Sequence, residues 1–161
     1  MYKINDCVVY KKDVCKIVDI TKKSDNREYY NLVPISDDSL KIDVPTENNQ
    51  NLIRNLVSEK EIHKTMDKID DIPILTSSSN ALDNDYKILL RDGSMKSLMT
   101  IIKTAVLRNN KREACNKKKS DRDMYYLALA EKYLYTEISI VLKMTVEEVK
   151  EFIMDSILKK V

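Results

Sequence analysis

The chain has 161 residues, 43% of them apolar and 34% charged, which suffices for one medium domain or two small ones with real cores. One glycine and three prolines point to mostly regular structure, and a single glycine cannot build a phosphate-cradling loop, which needs several bare stretches of backbone. The net charge of +2 is unevenly spread: residues 1–71 carry 12 Lys/Arg against 14 Asp/Glu and residues 72–161 carry 16 against 12, so any affinity for phosphate belongs to the second half.

Hydrophobic period two runs to about Asn55. Cys7 to Tyr10, Val14 to Ile20, Tyr29 to Val33 and Leu40 to Val44 are short β-branched or aromatic runs. They are separated by turn material at Lys11-Lys12-Asp13, Ser24-Asp25-Asn26 and Ser36-Asp37-Asp38-Ser39. Four such strands predict a small curled antiparallel sheet or SH3-like barrel.

Beyond Asn55 the period becomes helical. Ser58 with Glu61 is a capping signature opening a helix with Ile62, Met66 and Ile69 on one face, and Pro73 stops it. Thr76-Ser77-Ser78-Ser79-Asn80 is the predicted linker, because short polar side chains compete with helix for backbone hydrogen bonds. A helix from about Asp83 to Arg91 should end at Gly93 in a left-handed cap. Ser94 then starts a helix striped by Met95, Leu98, Met99, Ile102, Ala105 and Val106, Ser120 with Asp123 starts another, and Thr145 with Glu148 a last one. The expected architecture is α+β: a β domain with a trailing helix over residues 1–70, a linker over 71–82 and an all-α bundle over 83–161.

Chemistry-bearing residues are sparse. His63 is the only histidine and sits among Glu61, Ile62 and Lys64, where an exposed helix residue is expected rather than a general base. Cys7, Cys15 and Cys115 are odd in number and form no CxxC pair, so they read as reduced thiols, with neither a disulfide framework nor a zinc site. No catalytic residue, cofactor or metal is expected. No run approaches the roughly 18 apolar residues of a membrane span and no secretion signal opens the chain, so a cytoplasmic protein is expected. Arg108, Lys111, Arg112, Lys117, Lys118, Lys119 and Arg122 crowd together against only Glu113 and Asp121. A solvated connection between helices and a nucleic-acid contact both accommodate that cluster, and charge alone favours the former.

Lys41-Ile42-Asp43-Val44-Pro45 followed by Asn51-Leu52-Ile53-Arg54-Asn55-Leu56-Val57-Ser58, with Ile4-Asn5-Asp6-Cys7-Val8-Val9-Tyr10 at the start and Val14-Cys15-Lys16-Ile17 and Tyr29-Tyr30-Asn31-Leu32 between, carry a resemblance. In this order they resemble the N-terminal polymerase-interaction module of CarD/CdnL proteins, shared with the transcription-repair coupling factor. The similarity continues through Tyr86-Lys87-Ile88-Leu89-Leu90-Arg91-Asp92-Gly93-Ser94 and through Ala130-Glu131-Lys132-Tyr133-Leu134-Tyr135-Thr136-Glu137-Ile138.

The resemblance implies a Tudor-like or SH3-like barrel docking on the β subunit of RNA polymerase, partly by pairing strand edges. A helical domain then contacts promoter DNA at the upstream edge of the bubble without reading sequence. In the family a tryptophan wedges into the minor groove there and basic residues hold the phosphates. This chain has no tryptophan, and the matching position is Leu82, flanked by Asp83, Asn84 and Asp85 where the family places basic residues. Leu82 is therefore either a wedge or a residue tucked against the bundle, and the DNA contact is expected to move toward Lys87, Arg91 or the Arg108 to Arg122 cluster. In the barrel, Lys22, Lys23, Lys41 and Asp43 are the expected polymerase-facing residues, and Lys12-Asp13-Val14 stands where the family turn usually has glycine, with Asp the residue expected to bear the unusual angles.

Two functions follow as expectations: a monomeric, non-enzymatic transcription regulator that stabilises the open promoter complex, or a polymerase-tethered adaptor that lacks DNA contact and recruits another protein through its helices. A third reading, a helix-turn-helix over Thr136 to Phe152, lacks the usual turn glycine, and core packing explains its apolar spacing.

Overall fold

A computed structural model describes residues 1–47 and 50–159. The chain forms two compact units, Met1–Leu56 and Val57–Val161.

The first unit is a curled sheet of β1 (Cys7–Tyr10), β2 (Asp13–Lys22), β3 (Glu28–Pro34), β4 (Ile42–Pro45) and β5 (Ile53–Arg54). Their order is β4-β3-β2-β1-β5, and every neighbouring pair is antiparallel. The four predicted runs are β1 to β4. β5 adds a fifth strand beside β1, leaving β4 and β5 as the edges. Curling has a local cause: the β2–β3 register shifts between Ile17 and Asp19, and Val18 is thrown outward. An extra residue on one strand bends it and raises its twist. At the β1–β2 turn it is Lys11 that takes the left-handed conformation, with φ 58°, while Asp13 pairs with Tyr10. The expectation that Asp13 would bear the unusual angles is corrected: the left-handed residue lies two positions earlier, at Lys11.

Alternating side chains along the strands build the core of this unit from Val8, Cys15, Ile17, Tyr30, Leu32 and Val44. The Tyr30 hydroxyl is not orphaned, since the Tyr2 backbone N–H donates to it at 3.1 Å. The two rings meet edge to face at 5.8 Å, a favoured aromatic geometry. Tyr2 in turn donates its hydroxyl to Asn55 Oδ1 at 2.7 Å, latching the start of the chain to the residue beyond β5.

The second unit holds α1 (Glu59–Asp67), a 3-10 turn (Ile69–Asp71), α2 (Ser79–Asp92), α3 (Met95–Ala114), α4 (Asp121–Leu142) and α5 (Val146–Leu158). Its helix starts are capped where the sequence places them. Ser58, Ser94, Ser120 and Thr145 each accept from the N–H three residues on, and Thr145 with Glu148 closes a full capping box. Gly93 ends α2 at φ 67°.

Two organisational expectations meet a different arrangement. The helix expected to trail the β domain packs among the helices, where Ile62, Met66 and Ile69 share one core with Met99, Leu134 and Ile153. The Ser/Asn run expected as a linker instead opens α2, with Ser78 as its N-terminal flank, so the helix begins four residues ahead of Asp83. Short polar residues serve helix starts as well as they serve loops, and the stripe Leu82, Tyr86 and Leu89 makes the helix the better option here.

Buried polar side chains tie the irregular backbone to this core. Lys103 is 7% exposed and donates Nζ to the carbonyls of Ile69 at 2.8 Å and Ile72 at 2.9 Å, with Asp70 at 3.4 Å. It thereby satisfies the open end of the 3-10 turn. Thr104 accepts from the Leu75 N–H at 3.0 Å, Asn109 from the Ser120 N–H at 2.9 Å and Glu137 from the Val57 N–H at 2.7 Å. Each buried oxygen answers a backbone donor that has no helical partner, which is why these residues stand on otherwise apolar stripes.

Candidate functional site

Two regions carry the residues singled out in the sequence, one in each unit. The first is the outer face of the sheet at its β4 edge. Asp43, on that edge strand, accepts from Asn31 Nδ2 at 2.7 Å and pairs with Lys23 Nζ at 2.7 Å. Lys23 also lies 4.5 Å from the centre of the Tyr29 ring, and Tyr29 donates its hydroxyl to Asp25 at 2.8 Å. Of the four residues expected to face polymerase, Lys23 and Asp43 are thus joined in one exposed polar ladder, while Lys22 and Lys41 are exposed at strand ends. Leu40 and Ile35, each about half exposed, flank the loop that leads into β4. An edge strand with charged side chains and nearby apolar surface resists indiscriminate pairing yet remains able to accept a matched strand.

The charges on this edge set its pH window. The Lys23 and Asn31 hydrogen bonds hold the Asp43 carboxyl below the usual carboxylate range, and the Asp43 hydrogen bond raises the Lys23 amine above its ordinary value. The lowered group adds stability above its unfolded value and loses it as pH falls through the folded one. The raised group adds stability below its unfolded value and loses it as pH rises through the folded one. The pair therefore stays closed across neutral pH and opens only in acid or strong alkali. Carboxyl-carbon NMR should report a depressed Asp43 titration that moves up toward the ordinary value in Lys23→Ala; an unmoved titration would refute the pairing.

The second region is the C-terminal turn of α3 with the connection to α4. Arg108, Lys111, Arg112, Cys115 and Lys117 line an open cavity of about 180 Å³ whose wall, among the described residues, holds no carboxylate. Two of its cations have structural duties. Arg108 Nε donates to Asp123 Oδ2 at 3.0 Å, and Arg112 Nε donates to the Lys118 carbonyl at 2.7 Å, folding the connection back on the helix. Lys119 pairs with Glu113 at 3.2 Å. Among the described residues no carboxylate reaches ion-pair distance of Lys111, Lys117 or Lys118, all exposed. The end of a helix favours cations through its dipole, which accounts for Lys111 and Arg112. It does not account for the Lys117 to Lys119 run beyond the last turn.

The other expected contacts are dispersed. Lys87 pairs with Asp83 at 3.0 Å on α2, and Arg91 is exposed in its last turn. Leu82 is 1% exposed in the helical core, so it is spent on packing and is not presented as a wedge. His63 is exposed, 3.7 Å from Glu59. Among the described residues no three His, Cys, Asp or Glu side chains gather as metal ligands, and no helix is long and apolar enough to cross a membrane. The three thiols are free, and burial pushes Cys15 up to about 11, leaving it unreactive.

Beneath the basic cavity lies a network that sequence reading passed over. Asp123, fully buried, accepts from the Tyr86 hydroxyl at 2.8 Å as well as from Arg108. Burial and then this hydrogen bond push the Tyr86 phenol well above its ordinary value. The signal was weak because the three partners come from three helices, 15 and 37 residues apart.

Compared with known families, residues 2–57 match the model described as the CarD-like/TRCF RID domain, which spans the β unit. No curated protein matched the chain.

Proposed function

We propose that the β unit, similar over residues 2–57 to the CarD-like/TRCF RID domain, docks the chain on RNA polymerase as a transcription regulator. That match is the observation that carries the reading. The β subunit is the proposed surface, engaged through the β4 edge and the Lys23–Asp43 ladder with Lys22 and Lys41 beside it. The helical unit then holds promoter DNA through phosphates, using Lys111, Lys117 and Lys118 with Arg108 and Arg112 around the cavity, and so lengthens the life of the open complex. Phosphate contacts of this kind position a protein without reading sequence, and Lys87 and Arg91 on α2 are secondary candidates. Polymerase remains the catalyst. One observation favours the adaptor alternative: α2, where the family wedge would stand, buries Leu82 and carries Asp83 and Asp85.

The test is the lifetime of the open complex formed by the cognate holoenzyme, with and without the protein and with a Lys41→Ala/Asp43→Ala double variant. Lengthening by the wild type that the double variant abolishes is expected. Binding to the β subunit with no change of lifetime would move the reading to the adaptor, and no binding at all would overturn the polymerase reading.

A further inference from the structure

Lys103, Thr104, Asn109, Asp123 and Glu137 are buried polar side chains that each find partners. Glu131 breaks that pattern. On α4 it lies one turn beyond Leu127 and one turn before Tyr135, a spacing that puts all three on one side of the helix. Its Oε2 atom and the Tyr135 hydroxyl are buried, and among the described residues neither meets a hydrogen-bond partner. Lys150 Nζ of α5 stands 3.9 Å from that oxygen, beyond hydrogen-bond reach, on a side chain that is 59% exposed. Burial raises the Glu131 carboxyl above its ordinary value, with Lys150 drawing it back. A buried acceptor left unmet is costly, and native structures keep few of them.

Glu131 lines a cavity of about 390 Å³ between α3, α4 and α5, and sites for small molecules run from roughly 300 to 1,000 Å³. Val106, Leu127, Met154 and Leu158 give the cavity apolar walls. Its other charges are Glu113 and Lys119, which pair with each other at 3.2 Å. A carboxylate oxygen only accepts, so its complement is a donor. A hydroxyl offers one neutral donor. An ammonium offers three and carries the opposite charge, which makes the hydrogen bond about twice as strong, whereas a second carboxylate would be repelled. Lys150 already brings a cation near Glu131 without closing a hydrogen bond, and its exposed side chain can turn to solvent when another amine arrives.

We propose that the cavity between α3, α4 and α5 binds a small molecule with a primary amine on a short apolar body, the ammonium donating to Glu131 and the hydrocarbon lying on Leu127, Met154 and Leu158. The site shares no lining residue with the basic cavity and lies within the helical unit, so it stands apart from the polymerase and DNA contacts proposed above.

The experiment titrates the full chain with hexylamine, 1-hexanol and hexanoate at neutral pH and follows the methionine methyl signals by NMR. Two of the seven methionines, Met124 and Met154, line the cavity and act as reporters. Hexylamine should shift those two signals saturably and bind about tenfold tighter than 1-hexanol, while hexanoate leaves them in place. Glu131→Gln should bring the amine down to the affinity of the alcohol, and Lys150→Ala, which removes the competing cation, should hold or improve it. Met154→Trp fills the cavity while Glu131 remains, and should abolish binding of amine and alcohol alike; helical circular dichroism checks that each variant is folded. Equal affinity for amine and alcohol in the wild type, an amine preference that survives in Glu131→Gln, or shifts spread over all seven methionines would overturn the proposal. So would the absence of any saturable shift at Met124 and Met154.

Discussion

Asp123→Ala is expected to destabilise the helical unit by about 3–5 kcal/mol, the range found when one partner of a buried charged pair is removed. The carboxylate is 0% exposed, and its two oxygens serve Tyr86 and Arg108 separately. Alanine would leave a fully buried phenol without an acceptor and a half-buried guanidinium without its counter-charge. Against a typical total stability of about 5–15 kcal/mol, such a loss is a large share of what holds the unit folded. Urea unfolding followed by helical circular dichroism reads it directly. Tyr86→Phe is the milder companion, expected to cost about 1 kcal/mol because Asp123 keeps Arg108. A midpoint for Asp123→Ala displaced no further than a surface substitution, about 0.5 kcal/mol, would mean that the network is relaxed by water and holds nothing together.

That network also marks where sequence reading reached its limit. Features set by neighbours along the chain were legible: the four strand runs, the Ser and Thr caps at 58, 94, 120 and 145, and the glycine stop of α2 all lie where local pattern places them. β5 is only two residues long, Ile53–Arg54, too short to display a period, and it exists because β1 offers it an edge. The left-handed turn residue fell on Lys11 because the hairpin register pairs Tyr10 with Asp13, a choice made across two strands. Lys103 sits within an apolar stripe with no local reason to be a lysine. Its reason is three carbonyls more than 30 residues earlier.

The candidate sites divide along the same line. The basic cluster was legible as a count of charges, and the structure adds which cations are committed and which are free. Leu82 illustrates the opposite case: aligned by family resemblance to a wedge, it belongs by its own spacing to the stripe of Tyr86 and Leu89, and burial settled on the spacing.

The division between committed and free cations gives the second large effect. Reversing Lys111, Lys117 and Lys118 to glutamate breaks no ion pair among the described residues, so the unfolding midpoint should hold apart from a few tenths of a kcal/mol at the end of α3. DNA affinity should fall on the order of a hundredfold at moderate salt, equally for unrelated sequences, because the contacts proposed for these lysines are to phosphates. The salt dependence is the sharper readout: log K against log salt should become shallower by about 0.9 for each lysine that had displaced a counterion. Lys119→Ala, whose amine is held by Glu113, should change the slope far less. Open complexes carrying the triple variant should decay at the rate seen without the protein while polymerase binding through the β unit persists, which separates a failed DNA contact from a failed docking. An unchanged affinity and slope would remove the helical unit from DNA and leave the chain a polymerase-tethered adaptor, its basic cavity free to receive an acidic segment of another protein.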